Sequence, residues 1–349
     1  MTRLPDEPPR SLRLNIDREA LAANWLALHR MSGEAEAGAA VKSDAYGLGV
    51  EIVVPILHEA GARHFFLAHW SEVPAVLNYS EGATVSVLHG VRTPEEAAFA
   101  QTTGAIPVIN SLRQAVLWKE SGGGTCHLMI DTGINRLGIE PSEVSDPAIR
   151  SLDIDTVMSH LACADEDSAM NARQLATFRK ASAAVQAKRR SLANSAGIAL
   201  GPQYHFDLTR PGLALYGGIA HPALADVIKQ VAQPQAAVIQ MRDLSPGDSV
   251  GYNAIWTAEQ STRAATISIG YADGLMRAMG PGGSVSFDGW QLPVIGKVSM
   301  DMIVVDAGNS ALAEGDFVDI PLNLPETSAR SGLSQYEILT SLGIRYSRS

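Results

Sequence analysis

Short apolar runs alternate with longer, alanine-rich polar stretches from residue 12 to about residue 220, and this alternation most constrains the fold. A repeated strand-then-helix pattern predicts a parallel sheet covered by helices. About eight such units favour a closed (β/α)8 barrel of the TIM type over an open sheet. The chain has no GxGxxG segment after its first run, which argues against a dinucleotide-binding fold. The apolar runs span residues 39–42, 64–68, 84–89, 105–110, 127–131, 155–161, 191–195 and 207–216.

The character of the chain changes after residue 225. Short β-like runs follow, and turn sequences such as SPGD, GPGG and DG separate them. This pattern predicts a second, all-β domain. We therefore expect an α/β chain with a barrel domain over residues 12–225 and a C-terminal β domain over residues 226–349. Residues 1–11 are an N-terminal extension whose expected packing partner is the β domain.

Composition excludes several functional classes. The 349 residues include 27 basic and 37 acidic side chains, a formal net charge of -10, which disfavours a nucleic-acid binder. No apolar stretch is long enough to cross a bilayer, and the initial MTRLPDEPPR lacks the apolar core of a signal peptide. The two cysteines, Cys126 and Cys163, fit a reducing cytoplasm and form no zinc-binding spacing. We expect a cytoplasmic protein without a structural metal.

Polar residues end or follow several of the apolar runs, where a barrel places its functional groups. Lys42 ends the first run; Arg136, His160, Ser195 and Arg210 accompany the fifth to eighth. A lysine at a strand end either reaches out to water or is a Schiff-base lysine activated by burial and nearby cations. The five residues would converge on one mouth, and their charges favour an anionic, phosphorylated ligand.

The residues next to these strand ends suggest how a phosphate is held. Tyr46 is placed to bring its hydroxyl near a phosphate, while Gly47 and Gly49 allow the backbone to approach closely. Ser195 and the pair Gly212–Leu213 resemble a cradle of a hydroxyl and backbone N–H groups. The loops after strands seven and eight of a barrel are a frequent phosphate site.

An ordered set of segments resembles the bacterial alanine racemase family. The match runs from Lys42 to about Asp306 and so covers most of the chain; one such segment alone is weak evidence, but the ordered set is specific. The resemblance implies a pyridoxal 5'-phosphate (PLP) enzyme with an N-terminal barrel and a C-terminal β domain. It also implies a head-to-tail homodimer in which the partner's β domain completes each site. The segments are VKSDAYG, DTGINRLG, SHLACADE, ANSAG, TRPGLALYG, VGYNAIW, GYADG and GKVSMD.

The resemblance assigns catalytic roles to four residues. Lys42 binds PLP as a Schiff base and then moves a proton at Cα for one enantiomer. Tyr252, in VGYNAIW, is the second acid/base and acts from the partner chain, with His160 and Arg210 supplying positive charge. Arg210 also faces the pyridine nitrogen, where a guanidinium donates without accepting a proton and leaves the ring a weaker electron sink. Without the resemblance, the alternative interpretation is structural: Tyr252 would be a half-buried aromatic residue of a strand, and His160 would be a core histidine at a strand end.

Binding roles follow from the same resemblance. Arg136 binds the cofactor phenolate and supports the substrate carboxylate. Met300 and Asp301, in SMD, approach that carboxylate from the partner chain, and Tyr271, in GYADG, narrows the entrance. Bulky side chains near Cβ restrict the substrate to alanine and, less strictly, serine. Tyr46, Ser195, Gly212 and Leu213 hold the phosphate, together with a late tyrosine for which Tyr346 is the candidate.

Two positions depart from the family pattern. Met129 stands where the family often has a lysine, sometimes carbamylated, that positions the arginine corresponding to Arg136. Asn135 or a bound anion is the expected substitute. Ile344 stands where the family often has the late tyrosine, and Tyr346 is close by.

These observations predict an enzyme that interconverts L-alanine and D-alanine by a two-base PLP mechanism, supplying D-alanine for peptidoglycan or degrading it. The alternatives are a racemase with a wider pocket for serine, a PLP decarboxylase of the same barrel class, and a non-catalytic PLP carrier. GYADG and SMD, with Tyr252, favour the racemase over the decarboxylase. The β-like segments after residue 225 disfavour the carrier, a class that has the barrel alone.

Overall fold

The computed structural model describes residues 8–349, so residues 1–7 of the predicted N-terminal extension lie outside the described residues. The described residues divide into a barrel unit, Arg18–Lys229, and a β unit that contains residues 8–17 together with Gln230–Ser349. Strand β1 (Leu12–Ile16) lies in the β unit, although the sequence pattern placed it at the start of the barrel domain. Its alternate residues are buried, which suits a strand in an antiparallel sheet.

The barrel unit contains a seven-stranded sheet in which β3 to β9 follow one another in chain order, all parallel. A second parallel pair joins β2 to β10. The strands are β2 (Glu36–Ala37), β3 (Ala39–Ala40), β4 (His64–Leu67), β5 (Thr84–Val87), β6 (Ile106–Ile109), β7 (Thr125–Met129), β8 (Asp153–Met158), β9 (Arg189–Ser191) and β10 (Leu208–Thr209).

Backbone hydrogen bonds close these strands into a ring. Strands β2 and β3 are one strand interrupted at Gly38, whose N–H donates to Thr209 O at 2.9 Å. On the other side of β10, Arg210 N–H donates to Ala193 O at 2.9 Å, beyond the end of β9. The last strand therefore bridges the first and the seventh. The predicted eight-stranded barrel is confirmed.

Helices follow most barrel strands and begin at polar caps. Thr93, Ser111 and Ser168 each accept a backbone N–H from the first turn of the helix that follows, which satisfies a donor with no partner inside the helix. The helices are α1 (Arg18–Met31), α2 (Lys42–Tyr46), α3 (Val50–Ala60), α4 (Val73–Leu77), α5 (Pro94–Thr103), α6 (Leu112–Glu120), α7 (Pro147–Arg150), α8 (Ala169–Ala183) and α9 (Ser195–Ala199).

A polar cluster is buried among the barrel strands. The Nε2 atom of His127 on β7 lies 3.0 Å from the Oγ atom of Ser86 on β5. Arg189 on β9 donates to Asp155 Oδ2 on β8 at 2.8 Å. Burial lowers the pKa of His127 to about 3, so its imidazole is neutral near neutral pH.

The β unit is a closed sheet with two short helices, which confirms the predicted all-β C-terminal region. The 13-residue strand β11 pairs with β1, β14 and β18, and the sheet order is β14-β17-β16-β15-β18-β11-β1-β19. The elements are β11 (Ala232–Leu244), β12 (Ser249–Val250), β13 (Trp256–Thr257), β14 (Thr262–Ile267), β15 (Ser284–Phe287), β16 (Trp290–Ile295), β17 (Ile303–Asp306), β18 (Phe317–Asp319), α10 (Leu324–Ser331), α11 (Gln335–Thr340) and β19 (Ser347–Arg348).

Among the residues that the structure describes, no helix is both long and apolar enough to span a membrane.

Candidate active site

Lys42 lies at the carboxyl end of β3, two residues beyond the strand, where a barrel presents its functional groups. Its side chain is partly buried. Burial lowers the pKa of Lys42 below its usual value, and the positive charge of Arg136 acts in the same direction, whereas the carboxylate of Glu72 opposes both. The amine is thus more easily deprotonated than an ordinary surface lysine.

The backbone after Lys42 forms one turn of left-handed helix. Ser43, Asp44, Ala45 and Tyr46 have φ values of 55°, 52°, 53° and 57°. Such a turn costs each L-residue about 1–2 kcal/mol relative to a right-handed helix, so surrounding contacts must hold it. It is nevertheless regular, because Ala45 N–H donates to Val41 O at 2.9 Å.

Two carboxylates fix the ends of this left-handed turn. At its start, Glu72 accepts the backbone N–H of Ser43. At its end, Asp44 Oδ1 accepts the N–H of Val50 at 2.8 Å, at the first residue of α3. Gly47, with a φ of 88°, leaves the turn in a conformation that glycine adopts easily.

The turn brings Tyr46 against the loop after β10. A Cβ atom on Gly212 would lie 2.4 Å from the Tyr46 hydroxyl, so a larger residue there would displace the tyrosine. Ser195 Oγ accepts the N–H groups of Gly212 at 2.9 Å and of Ala214 at 3.2 Å. Leu213 lies between these two donors and is buried. Hydroxyls and backbone N–H groups thus converge as a phosphate cradle requires.

Arg210 is a buried cation at the end of β10. Its guanidinium donates to Ser159 O at 2.6 Å and to Ser191 Oγ. Burial lowers the pKa of Arg210 to about 10, and none of its partners within the described part of the chain is a carboxylate. A buried cation without a counter-charge is unfavourable. The site therefore suits a ligand that brings an acceptor atom to this guanidinium.

His160 follows β8 and lies in the field of the same cations. Burial lowers the pKa of His160 to about 3, and Arg210, Arg136 and Lys42 act in the same direction. The imidazole is therefore neutral near neutral pH. The structure brings His160, Arg210, Arg136 and Lys42 into one electrostatic environment, as the sequence predicted for the barrel mouth.

Arg136 lies in a loop after β7 that a single carboxylate organises. Asp131 Oδ1 accepts the N–H groups of Gly133 at 2.8 Å and Asn135 at 3.1 Å, while Oδ2 accepts that of Arg136 at 2.9 Å. Met129, at the position where the resemblance implies a lysine, is buried and apolar. Asp131 thus holds the backbone of Arg136, a support that the sequence pattern had not singled out.

The β unit carries the remaining predicted residues. Tyr252 and Met300 are 66% and 54% exposed. Tyr271 N–H donates to Ser299 O at 3.0 Å, which joins the GYADG and SMD segments. Asp301 accepts a bond of 2.8 Å from Arg345.

An ion pair between half-exposed Arg345 and a buried carboxylate supports these two segments. Asp273 is buried, and Arg345 donates to its two oxygens at 2.6 Å and 2.9 Å. The same guanidinium binds Asp301, so one arginine ties both loops to the end of the chain. The exposed side chain of Met300 is therefore next along the chain to a residue, Asp301, that Arg345 holds.

Tyr346 is buried in the β unit, and its hydroxyl donates to Asp273 O at 3.0 Å. A hydroxyl bonded inside the core of the unit is poorly placed for a phosphate, so this position does not favour the role that the resemblance gave it. Ile344, at the expected tyrosine position, is 88% exposed and has no hydrogen-bonding side chain.

Comparison with family models decides the family. Residues 16–220 match the alanine racemase N-terminal domain, and residues 231–349 match the alanine racemase C-terminal domain. The chain belongs to the alanine racemase family. The predicted resemblance is thereby confirmed, while the role of each residue in it stays a prediction.

Alanine racemases of known sequence and structure resemble the chain over nearly its full length. A catabolic alanine racemase of Agrobacterium fabrum is 42% identical over 356 residues, covering 96% of this chain and 91% of the relative. The biosynthetic alanine racemase of that organism is 40% identical over 366 residues, covering 97% and 93%. The crystal structure of alanine racemase from Bartonella henselae with covalently bound pyridoxal phosphate has a TM-score of 0.90 at 35% identity, covering 98% of this chain and 99% of that one.

Two residues that the sequence patterns did not single out stand beside this alanine racemase site. Glu72 is bonded to the turn after Lys42, and Asp131 is bonded to the loop of Arg136. Asp131 ends an apolar run at the mouth, which is a signal that sequence reasoning could have used. No group of three or more potential metal ligands was found among the described residues.

Proposed function

We propose that this protein interconverts L-alanine and D-alanine with PLP as its cofactor. The observation that carries the proposal is the placement of Lys42, a partly buried lysine whose pKa is lowered by burial and by Arg136, at the mouth of the barrel. A lysine amine with a lowered pKa is suited to bind an aldehyde covalently and to move protons.

The residues at the mouth fit PLP. Lys42 would hold its aldehyde carbon, and the cradle of Tyr46, Ser195, Gly212 and Leu213 would hold its phosphate. The buried guanidinium of Arg210 would donate to its ring nitrogen. Bound PLP supplies a conjugated ring that withdraws negative charge from the substrate Cα.

Lys42 is proposed as the acid/base on one face of the substrate. Burial and the charge of Arg136 favour its neutral amine, the form that accepts a proton. Arg136 is proposed to bind the substrate carboxylate and the cofactor oxygen, with its loop held by Asp131. Cα is then held within reach of Lys42.

Tyr252 of a partner protomer is proposed as the acid/base on the opposite face. The hydroxyl belongs to an exposed side chain on the β unit and is free to approach another molecule. Buried Arg210 would supply the positive charge that a phenol needs to lose its proton near neutrality, with His160 between them. This arrangement requires a head-to-tail homodimer, which we propose as the active form.

Tyr271, Met300 and Asp301 are proposed to line the substrate pocket and to favour alanine over larger amino acids. The named relatives include both a biosynthetic and a catabolic alanine racemase, so the same chemistry serves D-alanine supply for peptidoglycan or D-alanine degradation. We propose a cytoplasmic location, in keeping with two free cysteines, Cys126 and Cys163.

The test is chiral chromatography of the products formed from L-alanine, with L-serine in a parallel reaction, after addition of PLP. We expect D-alanine as the dominant product. Comparable D-serine would instead indicate a broader racemase with a wider pocket. PLP binding without any D-product would overturn the proposal in favour of a carrier or a decarboxylase.

A further inference from the structure

We propose that Glu72 is a positioning residue for Lys42, because its carboxylate anchors the left-handed turn on which the direction of the lysine side chain depends. This role deepens the proposed function and rests on it. Glu72 belongs to the short turn after β4 and does not take part in the steps described above.

Both oxygens of Glu72 accept backbone N–H groups, and these groups come from the segments that follow two neighbouring strands, β3 and β4. Oε1 accepts the N–H of Ser43, immediately after Lys42. Oε2 accepts the N–H groups of Ala68 and His69, each at 2.8 Å, just beyond the end of β4. One carboxylate thus ties the residue after Lys42 to the adjacent barrel strand.

A carboxylate suits this position better than any neutral side chain. Three donors converge on two oxygens, and only an ionised carboxylate accepts on both without offering a hydrogen of its own. Hydrogen bonds to a charged acceptor are also stronger than bonds between neutral groups. A glutamine of the same shape would turn its NH2 group toward at least one of these N–H groups.

The left-handed turn needs such an anchor at its start. Val41, at the position before the turn, provides no side-chain cap. Residues 43 to 46 all have positive φ, although none is glycine. Without a fixed Ser43 amide, the backbone at this point is expected to relax toward ordinary φ values, and the Lys42 side chain would then point elsewhere.

Glu72 also sets the charge environment of Lys42. The groups that act on Lys42 are Arg136, which lowers its pKa, and Glu72, which raises it. Lys42 in turn acts on the imidazoles of His89 and His160. Glu72 is the acidic group of this set, so its neutralisation should lower the pKa of Lys42 further.

The experiment compares three variants of the full-length, PLP-loaded protein. Glu72→Gln keeps the shape and removes the charge. Glu72→Asp keeps the charge but is too short to span both strands. Glu143→Gln is the matched control, because Glu143 Oε2 accepts the N–H of Glu140 at 2.8 Å in a comparable short turn after β7.

Two readouts separate positioning from general destabilisation. The first is hydrogen–deuterium exchange of peptides covering residues 42–50, followed by mass spectrometry. The second is the acidic limb of the pH profile of kcat with D-alanine, the direction in which Lys42 is the expected base, because kcat reports the groups that titrate while substrate is bound. For Glu72→Gln we expect the amides of residues 42–50 to exchange at least about tenfold faster. We also expect the acidic limb of the pH profile to move about 1 pH unit lower.

Glu72→Asp should exchange as fast as Glu72→Gln but keep the limb near that of the unaltered protein, and Glu143→Gln should change neither. If Glu72→Gln fails to fold, Glu72→Asp still tests the anchor through its exchange. Exchange over residues 42–50 that is equal in the Glu72 variants and the Glu143 control would overturn the proposal. An unaltered protein that binds PLP but makes no D-alanine would instead contradict the proposed function, and the exchange data would distinguish the two cases.

Discussion

In the barrel unit Ser195 and Arg210 are buried and hydrogen-bonded, whereas in the β unit Tyr252 and Met300 are exposed. Ser195 and Arg210 each bind backbone or hydroxyl partners inside the barrel. Tyr252 and Met300 are 66% and 54% exposed, and Arg345 holds the segment of Met300 through Asp301. The barrel residues are thus held in place within a single chain, whereas the β-unit residues are exposed to solvent.

The difference has a chemical meaning. A barrel mouth rich in cations can bind a phosphorylated cofactor without help from another surface. An exposed phenol has no such environment, and it becomes a useful acid/base only where positive charge surrounds it. The exposure of Tyr252 is therefore the feature of the β unit that most favours a shared site in a homodimer.

The largest effect is expected from Lys42→Ala. Removing the amine removes both the covalent attachment of PLP and one proton-transfer group, so we expect racemisation to fall at least about 10⁴-fold. The visible absorption of the bound cofactor should disappear. Lys119→Ala, an exposed lysine of the same unit, is the control and should change neither. Retained absorption in Lys42→Ala would remove this lysine from the mechanism.

Tyr252→Phe should act on one direction of the reaction only. The change removes a hydroxyl from an exposed side chain, so folding should be unaffected while proton abstraction from L-alanine slows about 10²- to 10⁴-fold. Exchange of the Cα hydrogen with deuterated solvent, followed separately for L- and D-alanine, measures this asymmetry.

The control for Tyr252→Phe is Tyr336→Phe, another exposed tyrosine of the β unit, which should leave both exchange rates unchanged. Equal losses for the two enantiomers would contradict the assignment of Tyr252 to one face. A fully active monomer in sedimentation and assay together would contradict the shared site.

The barrel could be predicted from the sequence because its strands are short apolar runs separated by helical stretches. The residues at the barrel mouth could then be predicted as those near the carboxyl ends of these runs. Lys42 and Ser195 were singled out because they end such runs, and Arg210 because it lies in the eighth. The left-handed turn after Lys42 was not predictable, since neither Ala45 nor Tyr46 favours positive φ. Long-range contacts hold it, and Glu72 lies 29 residues from the amide it binds.

Strand β1 shows a second limit of the sequence pattern. Its alternation of apolar and polar residues correctly indicates a strand but does not reveal its partner. Its pairing with β11, from Leu12 with Ala236 to Ile16 with Ala232, joins segments more than two hundred residues apart. Register between distant segments depends on the whole sheet rather than on local composition.

Acid should unfold the barrel unit before the β unit, because all nine histidines lie between residues 29 and 221. Burial lowers the pKa of His127 and of His160 to about 3 in the folded state. Unfolded histidine has a pKa of about 6.5, so between these values the unfolded state binds more protons and stability falls as pH falls. Each such histidine contributes a slope of about 1.4 kcal/mol per pH unit over that window.

Urea unfolding at pH 5 and pH 7 measures this loss, with hydrogen exchange reporting each unit separately. His127→Gln should reduce the dependence on pH by about the share of one histidine. If the β unit loses its protection against hydrogen exchange first on acidification, the assignment of acid sensitivity to His127 and His160 is wrong.

Asp131→Asn should weaken substrate binding more than it slows turnover. The neutral amide cannot accept all three N–H groups of the loop, so the backbone of Arg136 becomes less fixed. We expect KM for alanine to rise about tenfold with a smaller change in kcat, as for a weakened ground-state contact. Steady-state kinetics measure both constants, and an unchanged KM would mean that other contacts position Arg136.

The smallest effect is expected from Met300→Ala, which probes specificity rather than chemistry. Met300 is 54% exposed, so its truncation should not disturb the β unit, but it should widen the substrate pocket in the proposed homodimer. We expect the ratio of D-serine to D-alanine formed to rise about 3- to 10-fold. Met302→Ala is the matched control, since that methionine is 43% exposed on the same segment. An equal rise in both variants would mean that Met300 does not limit substrate size. Specificity would then depend on residues of the barrel mouth rather than on the exposed residues of the β unit.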